Sequence, residues 1–69
     1  MKLSTRNVLK GKVIDVKEGM VMAKVKVDVG GGNVISSIIS LEAVKELGVK
    51  VGEEITALIK ATNVILGKD

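Results

Sequence analysis

The sequence predicts an all-β fold, a closed barrel of five strands with one short helix, and three observations carry that expectation. Val and Ile number 19 against 6 Leu and 4 Ala, and such a β-branched excess fits pleated strands better than helices. Alternation of apolar and polar residues recurs along the chain. Apolar residues at helical spacing occur in only one short segment.

The elements follow in order. Val8 to Lys17 alternates but changes phase: Leu9, Gly11 and Val13 share one parity while Ile14 and Val16 take the other, so a bulge or bend is expected near Val13. Lys17-Glu18-Gly19 reads as a hairpin connection with Gly19 free to take a positive φ. From Val21 to Val29 the alternation is nearly perfect, with Val21, Ala23, Val25, Val27 and Val29 on one face and Met22, Lys24, Lys26 and Asp28 on the other. Gly30-Gly31-Gly32-Asn33 marks the next turn. Val34 to Ile39 carries apolar groups on both faces, so cover is expected on both sides. Ser40 then fits the N-cap of a helix whose stripe is Leu41, Val44 and Leu47, and Gly48 fits its C′ position. After a turn at residues 49–53, the stretch from Glu54 to Leu66 reads as a long strand, with Ile55, Ala57, Ile59 and Ala61 opposite Leu58, Val64 and Leu66. That strand is long enough to bend and count twice, which completes an OB-like closed barrel with the helix plugging one end.

Sixty-nine residues make one small domain, residues 1–69, and a core of that size rarely contributes more than about 3–5 kcal/mol. Yet 46% of the residues are hydrophobic, and there is no disulfide, thiolate or aromatic side chain to help. Burial between subunits is the physical solution, so a homo-oligomer is expected. The absence of Cys and His removes the usual zinc ligands and imidazole catalysis, and no metal held directly by protein side chains is expected. No apolar run approaches the about 18 residues of a membrane span, and Met1-Lys2-Leu3-Ser4 opens no signal peptide, so the protein is expected in the cytoplasm, away from membranes. The net charge of +3 favours anionic partners weakly, because the charges are interspersed. Ten of the eleven cations are Lys, and Arg6 is the single Arg.

Several short segments set uncharged donors beside a cation: Ser4-Thr5-Arg6-Asn7, Ser36-Ser37 with Ser40, and Lys60-Ala61-Thr62-Asn63. A tetrahedral oxyanion needs that set, since each oxygen takes several hydrogen bonds and charged donors strengthen them. Ordinary structural roles compete. Arg6 alone reads as half of a surface ion pair, Lys60 as a lysine snorkelling from an apolar strand, Ser40 as a cap, and Gly31-Gly32-Asn33 as a turn.

Ser4-Thr5-Arg6-Asn7-Val8-Leu9-Lys10-Gly11 resembles the Ser-x-Arg-Asn-x-Leu/Phe-x-Gly opening of the molbindins, the small Mop-type molybdate-binding proteins. Three further segments match that family in order and spacing: Gly31-Gly32-Asn33 followed by Ile35 to Ser40, then Val44 to Gly52, then Thr56 to Val64. With four motifs in register over almost the whole chain, the resemblance implies an anion ligand at Arg6 in place of an ion-pair residue.

The resemblance implies an OB-like subunit in a hexamer, a trimer of dimers, that binds molybdate or tungstate between subunits for storage, buffering or delivery. By matching positions it implies that Ser4, Arg6 and Asn7 form one half of an oxyanion site and Lys60, Ala61 and Thr62 the other. Ser37 and Ser40 match hydroxyl positions near it, and Val21, Met22 and the Gly31-Gly32-Asn33 segment could offer backbone amides. Thr5 stands where Ala is commoner and adds a hydroxyl. Molybdopterin is not expected, because no aromatic side chain is present to stack on it. No catalytic activity is expected. Two alternatives remain open at this point: an OB-like nucleic-acid binder, suggested by an isoelectric point near 9.4 but lacking any stacking residue, and an oligomerisation module that senses molybdate for a partner chain.

Overall fold

The computed structural model describes residues 3–69, so Met1 and Lys2 of the polar opening lie outside it. The chain forms strands β1 (Asn7–Glu18), β2 (Met22–Gly30) and β3 (Asn33–Ser40), helix α1 (Leu41–Leu47), strand β4 (Glu54–Ile59) and a single 3-10 turn at Ala61–Asn63. All neighbours pair antiparallel in one curled sheet of order β3-β2-β1-β4.

The phase change in β1 is a bulge. Val13 pairs with Val27 and Asp15 with Lys26, which leaves Ile14 as the extra residue. Ile14 is therefore 43% exposed, while Val13 on one side of it is 1% exposed and Val16 on the other packs on the core. Gly11 lets β1 lie close under β2, since a Cβ there would overlap the Asp28 carbonyl oxygen and come within 2.8 Å of Val27 Cγ1. Any side chain would force the two strands apart.

Gly19 is not in the positive-φ region, contrary to expectation. The β1–β2 connection closes by a hydrogen bond from the Gly19 N–H to the Met22 carbonyl at 2.8 Å, and the chain turns without a left-handed residue. The β2–β3 connection does need glycine. Gly31 and Gly32 have φ of 62° and 80°, the two positive values that a type I′ hairpin turn requires.

Ser40 caps α1 as expected, accepting a hydrogen bond from the Ala43 N–H at 3.0 Å. At the other end Gly48 takes φ 63° and donates to the Lys45 carbonyl, and Val49 donates to Val44. That is a Schellman motif, and it brings Val44 and Val49 together in the core. Leu47 departs from the expected stripe at 68% exposed. The core comprises Val13, Ala23, Val25, Val27, Val44 and Val49.

The fold is all-β with one short helix, but it is a four-stranded half-barrel, not a closed barrel of five. The last strand stops at Ile59, and residues 60–69 leave the sheet through the 3-10 turn. The continued apolar pattern beyond Ile59 is not pairing within this chain: Ile65 and Leu66 are 92% and 90% exposed. The outer face of β3 is likewise uncovered, with Val34 and Ile38 exposed. Edge strands β3 and β4 face each other across a groove of about 250 Å³ lined by Ile35, Ser37, Ile39, Ala57 and Ile59.

The molecule is correspondingly open. Its radius of gyration is 12.7 Å, against about 11 Å for a compact chain of this length. Its accessible surface is 5748 Å², against about 4,100 Å² for a typical monomer of this mass.

Candidate functional site

The residues before β1 and those after β4 meet because β1 and β4 run antiparallel with Asn7 opposite Ile59. Two side chains fasten that junction. The Thr5 hydroxyl donates to the Ile59 carbonyl at 2.8 Å, and Asn7 Nδ2 donates to the same oxygen at 3.0 Å. Both residues are half-buried, whereas Ser4 and Arg6 are exposed on the arm and Lys60, Ala61 and Thr62 are exposed just past the strand end. Ser4 to Asn7 and Lys60 to Thr62, 53 or more residues apart in sequence, thus stand side by side.

The electrostatics of the junction are one-sided. It carries the two cations Arg6 and Lys60, and no Asp or Glu occurs from residue 3 to 14 or from 55 to 68. The 3-10 turn uses the N–H groups of Asn63 and Val64 for its own bonds, which leaves those of Ala61 and Thr62 outside it. Asn7 retains a second amide hydrogen after its bond to Ile59, and Ser4 and Thr62 supply hydroxyls. The donor set suits a tetrahedral dianion.

The other expected residues lie elsewhere. Met22 pairs with Ser40, and the Val21 carbonyl accepts from the Leu41 N–H at 2.8 Å, so Val21, Met22 and Ser40 form a second cluster at the far end of β1. Ser40 caps the helix with its lone pair and keeps its hydroxyl hydrogen, so cap and anion contact are compatible. Ser37 faces the groove from β3. At the Gly31-Gly32-Asn33 turn, Asn33 Nδ2 donates to the Gly30 carbonyl, and the neighbouring Gly30 N–H donates to Asp28 Oδ1. The Asp28 carboxylate at that turn opposes an anion. Sequence reading missed Ile59, whose contribution is a backbone carbonyl and so leaves no side-chain signal.

Residues 3–66 match the TOBE domain. The chain belongs to the TOBE-domain family. Among curated relatives this TOBE domain is 58% identical over 67 residues to a probable molybdenum-pterin-binding protein of Haemophilus influenzae, with 97% of each chain covered. Its fold matches MopII from Clostridium pasteurianum with a TM-score of 0.91 at 52% identity, covering 97% of this chain and 100% of that one. It also matches the cytoplasmic molybdate-binding protein ModG, solved with molybdate bound, with a TM-score of 0.93 at 48% identity, covering 97% of this chain and 48% of that one. The resemblance to the Mop-type molbindins therefore holds for this TOBE domain across its whole length. No helix among the described residues is long and apolar enough to cross a membrane.

Proposed function

We propose that residues 1–69 act as one oxyanion-binding domain that takes up molybdate or tungstate reversibly, without catalysis, between subunits of a cytoplasmic homo-oligomer. The role is storage, buffering or delivery of the anion. The observation that carries this reading is that the two segments holding Arg6 and Lys60, neither of which carries a carboxylate, are fastened together by the bonds from Thr5 and Asn7 to the Ile59 carbonyl. The molybdate bound in ModG supports the choice of ligand.

The mechanism is exchange of hydration for fixed donors. A dianion entering an interface loses a large hydration energy, so it needs compensating charge and a nearly complete shell of hydrogen bonds. Arg6 and Lys60 supply the charge, and Ser4, Asn7, Thr62 and the Ala61 N–H supply donors. Selection over sulfate is geometric, because donors spaced for the larger ion hold the smaller one loosely. Acceptor-only carboxylates would favour a protonated anion such as phosphate, and neither segment of the junction carries one.

The open half-barrel supports an assembly. The surface in excess of a typical monomer is roughly 1,600 Å², about twice what one partner contributes to a standard interface. More than one interface per subunit is the reading that fits, as a trimer of dimers provides. The exposed Ile65 and Leu66 and the two open sheet edges are surfaces for other copies to cover. The two donor clusters lie at opposite ends of β1, so any site drawing on both takes them from different subunits.

Titration calorimetry of the full chain tests the ligand. Molybdate and tungstate are expected to bind saturably and sulfate at least about tenfold more weakly, a difference of about 1.4 kcal/mol. Equal affinity for sulfate, or no molybdate binding by the folded protein, would overturn the reading.

A further inference from the structure

We infer that Thr5 is a positioning residue that sets the spacing between Arg6 and Lys60, and with it the discrimination among oxyanions of different size. The inference rests on the oxyanion reading above and assigns Thr5 a role distinct from that of a ligand.

The chemistry of the hydroxyl is decisive. A threonine carries one O–H hydrogen, and the Thr5 hydrogen goes to the Ile59 carbonyl at 2.8 Å. What remains on Thr5 Oγ1 is acceptor capacity, which a fully deprotonated oxyanion cannot use. Asn7 differs, because its bond to the same carbonyl uses one of two amide hydrogens and leaves the other for a ligand. The Ile59 oxygen thus receives two side-chain donors, Thr5 from the arm and Asn7 from the first position of β1, with the exposed Arg6 between them.

The position of that oxygen explains the consequence. The Ile59 carbonyl and the Lys60 nitrogen belong to one peptide unit, and a peptide unit is planar. Two donors converging on its oxygen therefore fix the plane that carries the Lys60 Cα. The arm that holds Arg6 and the backbone that holds Lys60 become one body, although β4 has ended at Ile59 and Lys60 lies outside the sheet. Without the Thr5 bond the plane keeps only the contacts of Asn7, its ladder pairing and its side-chain bond, and loses the tie to the arm on the far side of Arg6, so the two cations can close around a smaller ion.

Three variants of the full chain, each titrated with molybdate and with sulfate, test this. Thr5→Val keeps the shape of the side chain and removes the donor. It is expected to weaken molybdate binding about 3- to 10-fold, the contribution of one neutral hydrogen bond, and to lower the molybdate-to-sulfate affinity ratio. Thr5→Ser is expected to retain both affinity and ratio, which a side chain needed only for packing would not do. Asn7→Ala is expected to lose more affinity than Thr5→Val, because it removes a clamp bond and a ligand donor together. An unchanged ratio in Thr5→Val, or failure of Thr5→Ser to restore it, overturns the positioning role while leaving the oxyanion site standing. Loss of molybdate binding in Thr5→Val as complete as that caused by removing Arg6 would instead make Thr5 a ligand. Folded wild-type protein that ignores molybdate would remove the oxyanion reading, and the inference with it.

Discussion

Val25→Asp is expected to yield a chain that neither folds nor assembles. Val25 is 2% exposed at the middle of β2, paired with Val16 of β1 and Ser37 of β3, and it belongs to the core with Val13 and Val44. An unpaired carboxylate placed there costs several kcal/mol. A core of this size rarely supplies more than about 3–5 kcal/mol, so one such charge removes the whole margin. Circular dichroism and size-exclusion chromatography read the outcome. A soluble, assembled Val25→Asp protein would mean that β2 buries its other face.

Arg6→Ala is expected to weaken molybdate binding about 10- to 100-fold with the fold intact. The loss corresponds to the about 1.5–3 kcal/mol of a hydrogen bond from a charged donor. The fold survives because Arg6 is exposed on the arm before β1 and contributes nothing to the core. Arg6→Lys keeps the charge but not the planar fork of donors, so it is expected to fall between the two. Equilibrium dialysis against molybdate, with the circular dichroism spectrum as control, measures the effect. Wild-type affinity in Arg6→Ala would remove that residue from the site.

Local features of the fold were legible because each rests on neighbouring residues. The change of parity near Val13 announced the bulge, Gly30-Gly31-Gly32-Asn33 announced a turn, and Ser40 and Gly48 announced the ends of α1. The end of β4 was not legible. Apolar residues continue at strand spacing past Ile59, and alternation records that a face wants cover without recording which chain supplies it. The same ambiguity placed Leu47 in the buried stripe. Gly19 misled for a different reason: it follows a strand and fits a turn, yet its backbone does not use the freedom that glycine offers.

The candidate site divided in the same way. Arg6 and Lys60 were legible as a cation pair through the motifs, and the antiparallel pairing of β1 with β4 brings their backbones together. The separation of Val21, Met22 and Ser40 from that pair is tertiary, since it depends on the length of β1. The clamp on Ile59 could not be read at all, because its bonds join positions 52 and 54 residues apart and its acceptor is backbone.

Native mass spectrometry of the full chain, titrated with molybdate in the presence of sulfate, reads assembly and ligand together. The expected result is a hexamer that takes up several molybdate ions and leaves sulfate in solution. A monomer, or an assembly whose mass does not change with molybdate, would contradict binding between subunits.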